Sequence, residues 1–578
     1  MLAMVFFMAV LETVGVASVM PFLAVLGDPD SIRTQRQLSY LFDIGGFETT
    51  QSFLVALATL SFVIVVSGSL FRLGTHYVLH RFAEMRRHSV SRRLLEGYLR
   101  QPYEFFLNRN TTDLSKSILS EVDELTENVF QPGIQLISYL TTAVLLFGFL
   151  IVMDPGIALA VTVGLGGTYV LIYLCVRGLL GRIGRQRAEA NRARFKAAGE
   201  ALGGIKDIRI LGCERTYLDR FREPSRRFSR FRATNKVVAV APKYLIEAIG
   251  FGGVLALAVI LLATRGDLGQ ALPLLGVFAF AGYRLLPAAQ HIFASVAKLR
   301  FGWGAVEVVA GDLESLPPER TYRIHQDTEG ERPDPTGRSW SIRNLSYKYP
   351  GSEDWAIKDI SIEIEPGMFL GVMGHTGAGK STLVDLILGL LTPTSGSISL
   401  GSQSLAQIGS LGWREIIGYV PQSIYMTDAS IAENIAFGID RGAIDRDMLL
   451  AAARAAQVHD FVQALPKGYD TIVGERGVRL SGGQKQRIGI ARALYRPFEL
   501  LILDEATSAL DGATEARVMK GIADLGAGRS VITIAHRVST LMGCDSIIVL
   551  SGGRMLSAGR YEELVANDSQ FRELTRQA

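Results

Sequence analysis

One run in the C-terminal half has the residue types and spacing for binding phosphate. It reads Gly374-His375-Thr376-Gly377-Ala378-Gly379-Lys380-Ser381. The run follows an apolar strand and opens a helix, so its backbone N–H groups can close around phosphates that the helix N-terminus also favours. Lys380 would reach the β- and γ-phosphates, the Ser381 hydroxyl would bind Mg²⁺, and Thr382 adjoins the loop. The sequence therefore predicts a nucleoside triphosphate site.

A second segment with anion-binding chemistry lies downstream, in the run Leu480-Ser481-Gly482-Gly483-Gln484. Ser481 and the two glycines fall at a helix start, where they would offer a hydroxyl and N–H groups to an anion. Because the chain already has one phosphate loop, a second site for a terminal phosphate suggests that two chains hold nucleotide between them. Further on, an apolar strand ends in Asp504, whose carboxylate can hold Mg²⁺ through water.

The elements that must position these residues change character along the chain. After residue 338, short apolar strands alternate with helical patterns, which is typical of an α/β P-loop NTPase domain. Earlier apolar runs of roughly 20 residues are long enough to cross a bilayer. We predict an all-α six-helix transmembrane domain at 1–310, a linker at 311–338 and the α/β domain at 339–578. The candidate spans are Met1–Leu26, Phe53–Tyr77, Phe130–Met153, Gly156–Leu179, Leu245–Thr264 and Leu272–Val296.

Basic residues concentrate in two long segments between the apolar runs. The stretches 78–129 and 180–240 are helical in pattern and rich in arginine, whereas the loops 27–52 and 265–271 are short or poor in basic residues. The positive-inside rule places both long stretches in the cytoplasm, and even span parity places the C-terminal domain there too. The net charge of +4 carries no nucleic-acid signature, and three scattered cysteines support neither a disulfide framework nor a zinc site.

The order of phosphate loop, LSGGQ and acidic strand end resembles the ATP-binding cassette family. Six spans followed by a C-terminal cassette resemble an exporter half-transporter of that family. The resemblance implies bound ATP and Mg²⁺, ATP hydrolysis coupled to transport, and a homodimer in the cell inner membrane with its cassettes in the cytoplasm. It also implies that Glu505 orients or deprotonates the attacking water, that Gln422 senses metal and nucleophile, and that His536 acts near the γ-phosphate.

Other cassette positions match the family residue by residue. Tyr349 resembles the aromatic residue that stacks on adenine, with Tyr347 as the competing candidate on the same strand face. Asp511 closes a run that matches the loop communicating across the cassette dimer, and the resemblance implies that it contacts the nucleotide. Gly474-Glu475-Arg476-Gly477 resembles a segment typical of exporters.

The cytoplasmic stretches contain two candidate contacts to the cassettes. In the family, two short helices in these stretches dock onto cassettes, and the matching positions here are Pro102–Thr112 and Gly204–Tyr217. The alternative is that both segments are only turns in long helices. We favour docking, because an ATP-driven motion needs a rigid contact to reach the membrane.

Charged residues inside the spans are the main clue to the substrate. A charge at the centre of the bilayer costs about 2.5–3.5 kcal/mol, so it normally faces a partner or a wet cavity. Arg72 and Lys243 lie toward the cytoplasmic ends of their spans, where snorkelling is the alternative. Arg284 lies near the middle of its span, where an ion pair with Glu12 or Glu247 is the structural alternative.

Short membrane motifs also resemble the bacterial flippase family that turns over polyprenyl-pyrophosphate-linked oligosaccharides. The motifs are 241–252, 283–288 and Val19-Met20-Pro21-Phe22. The resemblance implies that Arg72, Lys243 and Arg284 engage pyrophosphate, with a lysine in place of an arginine at position 243. We predict export or flipping of an amphipathic, anionic lipid-linked substrate. Multidrug, lipid A and peptide exporters are alternatives, as is an ATP-gated channel or a regulatory membrane ATPase.

Overall fold

The computed structural model describes residues 1–153, 155–161, 163, 166–265, 268–316, 338–535 and 537–577. The chain forms two compact units. The membrane unit consists of Met1–Gln101 and Asn108–Pro317, and the cassette unit consists of Pro102–Leu107 and Pro318–Ala578. The short segment 102–107 is therefore inserted in sequence within the membrane unit but packs as part of the cassette unit.

The described residues of the membrane unit form helices joined by short turns, as its apolar runs predict. Its α-helices are Leu2–Gly27, Ser31–Thr34, Arg36–Ile44, Thr50–Leu99, Thr111–Lys116, Val122–Leu125, Gln131–Met153, Pro155–Val161, Gly167–Gly203, Ile205–Leu211, Glu214–Arg265 and Leu268–Glu314. Two single-turn π-helices, Ser117–Glu121 and Thr126–Phe130, interrupt the segment before Gln131. Such wide turns arise where side chains or close packing disturb the regular helical ladder.

Three helices among the described residues are long and apolar enough to cross a membrane. They are Leu2–Gly27, Thr50–Leu99 and the continuous segment Thr111–Met153, and they contain the first three predicted spans. The last three predicted spans fall on helical segments of 155–203, 214–265 and 268–314, parts of which lie outside the described residues. Several of these helices run far past the length of a span, in agreement with the predicted helical extensions.

A buried group of charges joins the extensions of two helical segments. The Arg187 guanidinium lies 2.9 Å from Glu121 Oε2 and 3.7 Å from Glu124 Oε2, and the Arg187 and Glu121 side chains are 0% exposed. Asn191 donates to Glu121 Oε1 at 2.9 Å. One turn away, a Cβ on Gly184 would lie 2.2 Å from the Phe301 carbonyl oxygen, so the two helix backbones touch there. This cluster lies beside the π-turn at Glu121.

The cassette unit contains two β-sheets and the helices packed on them. Its strands are β1 Trp340–Tyr347, β2 Ile357–Ile364, β3 Phe369–Gly374, β4 Ser395–Leu400, β5 Gln403–Ser404, β6 Ile417–Val420, β7 Leu500–Asp504, β8 Ser530–Ile534, β9 Ser546–Ser551 and β10 Arg554–Gly559. One sheet is antiparallel with the order β2-β1-β4-β5. The other has the order β10-β9-β3-β8-β7-β6, parallel except for β10.

Helices cover the parallel sheet and form a second lobe beside it. They are Tyr103–Leu107, Lys380–Ile387, Leu405–Ile408, Ser410–Glu415, Ile431–Ile435, Arg446–Ala455, His459–Gln463, Gly482–Tyr495, Gly512–Leu525, Val538–Met542, Tyr561–Asn567 and Ser569–Gln577, with 3₁₀ turns at Arg441–Ala443, Gly468–Asp470 and Glu475–Gly477. One core lies between the two sheets around Trp413, Leu345 and Ile502. A second core surrounds the helix Gly482–Tyr495. The predicted α/β domain is confirmed.

Candidate nucleotide site

The parallel strands bring the predicted catalytic segments to one edge of the sheet. In the order β3-β8-β7-β6, the phosphate loop follows β3, Asp504 ends β7, and Gln422 comes shortly after β6. The carboxyl ends of parallel strands share an edge, which is where ligands bind in open α/β sheets. His536 follows β8 in the sequence, but it lies outside the described residues.

The phosphate loop has the backbone shape that its glycines predict. Gly377 and Gly379 have φ angles of +82° and +100°, which a side chain would strain. A Cβ on Gly379 would also lie 2.7 Å from the Ala356 carbonyl oxygen. In the described part of the chain, no backbone carbonyl accepts the N–H groups of Gly377, Gly379, Lys380 or Ser381. These donors lie at the start of the helix Lys380–Ile387, so the loop fits a bound phosphate chain.

Lys380 lies over the loop that it follows. Its ammonium group donates to the carbonyl oxygens of Gly374 at 2.6 Å and His375 at 3.0 Å. Burial lowers the pKa of Lys380, and the charges of Glu505 and Asp504 oppose that shift. A cation held between a loop and two carboxylates suits a polyphosphate whose charge needs neutralising.

Glu505 is placed by a strained backbone and by a hydrogen bond. Its φ of +50° is in the left-handed region, which costs a residue with a side chain about 1–3 kcal/mol and recurs at functional sites. The Gln422 amide donates to Glu505 Oε2 at 2.7 Å. The structure thus brings together two of the three residues predicted as catalytic.

The predicted Mg²⁺ ligands are Ser381, Gln422 and Asp504. Among the residues that the structure describes, no three His, Cys, Asp or Glu side chains gather as a metal site. A single carboxylate is nevertheless usual for Mg²⁺ that is bound mainly through phosphates and water. The Gln422 nitrogen is engaged by Glu505, which leaves the amide oxygen to face a metal. These residues fit a nucleotide-bound ion.

The two candidate adenine-contacting tyrosines differ in exposure. Tyr347 is 2% exposed, whereas Tyr349, just beyond the end of β1, is only partly buried. Their rings pack edge to face with centroids 5.0 Å apart. The hydroxyls of Tyr349 and Thr382 share a hydrogen bond of 3.1 Å, which ties Tyr349 to the helix that begins at the phosphate loop. Accessibility therefore favours Tyr349 as the adenine contact.

The run 480–484, called the signature run below, forms a capping box at an exposed helix start. Ser481 Oγ accepts the Gln484 N–H at 3.3 Å, and Gln484 Oε1 accepts the Ser481 N–H at 2.8 Å. Ser481 and Gly482 are exposed, and Gly483 is partly exposed. The capped helix Gly482–Tyr495 thus presents its first turn to solvent, as an anion site shared with another chain requires.

Two residues that the sequence analysis did not single out hold the loop 508–511. Gln486 donates to Ser508 Oγ at 2.9 Å and accepts the Ala509 N–H at 2.9 Å. Arg537 donates to the carbonyl oxygens of Leu510 and Ser508, both at 2.9 Å. In the sequence, the position of Gln486 two residues after Gln484 could have pointed to a role beside the signature run.

Asp511 acts as a helix cap. Its carboxylate accepts the Thr514 N–H at 2.9 Å at the start of the helix Gly512–Leu525. Hydrogen bonds from the Thr514 backbone, first among several, lower the pKa of Asp511. Its predicted contact with nucleotide stays a prediction.

The candidate substrate residues in the membrane unit have acidic partners. Arg72 lies 3.1 Å from Glu12, whose side chain is 9% exposed. Lys243 lies 3.6 Å from Glu247, one helical turn away, with both side chains partly exposed. The side chain of Arg284 lies outside the described residues, so its predicted contact stays a prediction.

Both predicted docking segments contain short helices. Tyr103–Leu107 lies in the cassette unit, where the Tyr347 hydroxyl donates to Glu104 at 2.7 Å. Ile205–Leu211 lies in the membrane unit and exposes Ile210 and Leu211. The first is therefore a separate helix docked on cassette residues.

Comparison with known proteins gives the family. The family model described as ABC transporter transmembrane region matches residues 3–269, and the one described as ABC transporter matches residues 357–508. A protein of Alkalilimnicola ehrlichii named ATP-dependent lipid A-core flippase is 31% identical over 491 residues, covering 84% of this chain and 81% of that protein. A protein of the same name from Pseudomonas fluorescens is 31% identical, covering 84% of this chain and 79% of that protein.

A solved structure has the same fold. The structure of a bacterial Atm1-family ABC exporter with ATP bound covers 99% of this chain and 98% of that chain, with a TM-score of 0.77 and 23% sequence identity. The predicted helical transmembrane region followed by an ABC domain is confirmed, as is a location in the inner membrane with the cassette in the cytoplasm. The chain belongs to the ABC transporter family, as an exporter-type half-transporter that couples ATP hydrolysis to transport across the membrane.

Proposed function

We propose that two copies of this chain form a homodimer that flips an amphipathic, anionic lipid across the inner membrane at the expense of ATP. The observation that carries the proposal is the shared sheet edge of phosphate loop, Asp504 and Glu505, combined with a signature turn that faces solvent. Each nucleotide would lie between the phosphate loop of one copy and Ser481 of the other. A chain with every cassette motif intact favours two equivalent sites.

The described residues of the site have positions that support the following roles. The N–H groups of the loop and Lys380 hold the phosphates, and Tyr349 contacts adenine. Mg²⁺, when bound, neutralises charge on the β- and γ-phosphates. Glu505 accepts a proton from, or orients, the attacking water, and the hydrogen bond from Gln422 holds its carboxylate in place. His536 would add a donor near the γ-phosphate.

The nature of the substrate rests on the membrane unit and on the named relatives. Two relatives that are 31% identical are named lipid A-core flippases, which favours a lipid with an anionic head group. Arg72 and Lys243 would supply positive charges to that head group. When no lipid is present, the carboxylates of Glu12 and Glu247 neutralise these charges. A lipid-linked oligosaccharide in particular stays a prediction. Drug and peptide export are the alternatives.

The test measures lipid movement and ATP turnover in the same proteoliposomes. Purified protein is reconstituted with lipid A, with a polyprenyl-pyrophosphate glycan or with a hydrophobic drug, and each is assayed for stimulated ATPase and for transfer between leaflets. We expect an anionic lipid to raise turnover and to move only with ATP. Stimulation and movement with the drug alone would overturn the lipid assignment. Ion flux without lipid movement would favour a channel.

A further inference from the structure

The segment 102–107 makes a contact that the cassette motifs do not account for. It begins after Gln101 and ends before Asn108, both of which belong to the membrane unit, yet it packs in the cassette unit. Within it, Glu104 accepts a hydrogen bond of 2.7 Å from the Tyr347 hydroxyl. These two residues are 243 positions apart in the chain.

We propose that Glu104 is a positioning residue for ATP, setting the adenine-contacting ring of Tyr349 through Tyr347. The proposal rests on the proposed function, in which Tyr349 contacts adenine. It adds a route by which the short cytoplasmic helix controls affinity for the base rather than for the phosphates.

The first link fixes the orientation of Tyr347. The ring is 2% exposed at the end of β1, and the hydroxyl is its one polar atom. A hydrogen bond from a buried tyrosine to a carboxylate is stronger than one between neutral groups. Burial, and then Glu104, raise the pKa of Tyr347, so the hydroxyl stays protonated and donates.

The second link passes from Tyr347 to Tyr349. The rings meet edge to face, with centroids 5.0 Å apart and planes at 84°. This geometry places the positive edge of one ring against the negative face of the other, and it is sensitive to rotation of either ring. A displaced Tyr347 would therefore release Tyr349 from the position that it holds.

The third link ties Tyr349 to the phosphate loop. Its hydroxyl shares a hydrogen bond of 3.1 Å with Thr382, in the first turn of the helix that starts at Lys380. The ring is thereby held beside the helix start that would carry the phosphates. Hydrogen bonds and one ring contact thus connect Glu104, Tyr347, Tyr349 and Thr382 without a break, from the helix Tyr103–Leu107 to the nucleotide site.

The functional consequence follows from chain connectivity. Both ends of the segment 102–107 continue in sequence into the membrane unit, so the proposal predicts that a change in that unit can reach Glu104 through the chain. Loss of the contact would weaken adenine binding without touching the groups that hydrolyse ATP. Lipid in the membrane unit could thus change the concentration of ATP needed for half-maximal turnover.

The experiment separates the KM for ATP from kcat in the full-length, reconstituted protein. Glu104→Ala and Tyr347→Phe should each raise the KM about fivefold and leave kcat within about twofold, because one aromatic contact is loosened. Glu104→Gln keeps an acceptor oxygen and should stay close to the wild type. Binding of inorganic tripolyphosphate, which lacks a base, should not change in any of these variants.

A double-mutant cycle tests the route. Tyr349→Ala alone should raise the KM, and Glu104→Ala should add nothing in that background. Tyr495→Phe is the matched control, since it removes another buried tyrosine hydroxyl, which accepts the Asp445 N–H at 2.9 Å elsewhere in the cassette unit. This control should lower thermal stability but not change the KM.

Four results would overturn the proposal. One is a full additive effect of Glu104→Ala in the Tyr349→Ala background, and another is a change in kcat at constant KM. The third is an unchanged KM in Glu104→Ala while Tyr349→Ala still raises it, which refutes the relay and leaves the adenine assignment standing. An unchanged KM in Tyr349→Ala would instead refute the adenine assignment itself, and the relay with it.

Discussion

In the cassette unit the important charged residues lie at strand ends, whereas in the membrane unit they pair with one another between helices. Asp504 and Glu505 owe their positions to β7 and its parallel neighbours. Arg187 instead owes its position to Glu121 and Glu124, which come from a different helical segment. Backbone topology therefore fixes the chemistry of one unit, and long-range side-chain pairing fixes the architecture of the other.

The largest expected effect is on turnover when the strand-end carboxylate of Glu505 becomes an amide. Glu505→Gln should lower kcat about 10²- to 10⁴-fold, because the base for the attacking water is lost, and it should leave ATP binding intact. Single-turnover hydrolysis and equilibrium ATP binding measure the two quantities. Glu499→Gln, the same change just before β7, should keep normal turnover. Near-normal turnover of Glu505→Gln would show that this strand-end carboxylate is not the base. The position of charges at strand ends would then not explain the chemistry of the cassette unit.

The next effect is on stability in the membrane unit. Arg187→Ala should cost about 3–5 kcal/mol of unfolding free energy, because the buried Glu124 would lose this cation and Glu121 would keep only Lys116, 3.7 Å away. Thermal unfolding of the detergent-solubilised protein detects the loss. Arg185→Ala is the control: it breaks the exposed pair with Glu307 and should cost at most about 1 kcal/mol. Equal losses in both variants would show that burial of the cluster is not what matters.

A smaller effect is expected at the loop that Gln486 holds. Gln486→Ala removes hydrogen bonds to Ser508 and Ala509 and should lower kcat about tenfold, equivalent to about 1.4 kcal/mol. ATP affinity should stay within about twofold. Gln463→Ala changes an exposed glutamine of the same unit and should have no effect. A normal kcat in Gln486→Ala would mean that the loop is held without it.

The smallest effect tests whether membrane charges do more than pair. Arg72→Gln should raise the lipid concentration for half-maximal ATPase stimulation about fivefold, because a cation facing the head group is lost. Glu12→Gln removes the same ion pair but keeps the cation, so it should stay within about twofold of the wild type. If both variants raised the lipid concentration for half-maximal stimulation equally, Arg72 would act only through its ion pair with Glu12 and not by binding the lipid.

The sequence predicts the nucleotide site well because each of its parts is local. Lys380 follows directly on its glycine loop, and Asp504 closes its own apolar strand, so strand and helix patterns suffice to place them. Parallel pairing then brings the separate segments to one edge. The strained backbone of Glu505 has no local signal, since only tertiary contacts can hold a glutamate at a positive φ.

The contacts that escape prediction join residues that are remote in sequence. Arg187 and Glu121 are 66 positions apart, and Tyr347 and Glu104 are 243 apart. Periodicity shows which helix face is apolar, but it does not show which charge on one helix meets which on another. For the same reason, Arg72 was expected to face substrate, and its ion pair with Glu12 emerged only from the structure.

Complementation between two inactive variants tests the composite nucleotide site most directly. Lys380→Ala chains and Ser481→Ala chains should each be inactive alone, whereas a mixed dimer would pair the intact phosphate loop of one with the intact signature of the other. We predict that the mixture recovers ATPase activity. As a control, mixed dimers of a wild-type chain and a Lys380→Ala/Ser481→Ala chain, separated from wild-type homodimers by a different affinity tag on each chain, should have no intact site and no activity. Recovery in that control, with none in the first mixture, would contradict a site shared between two copies.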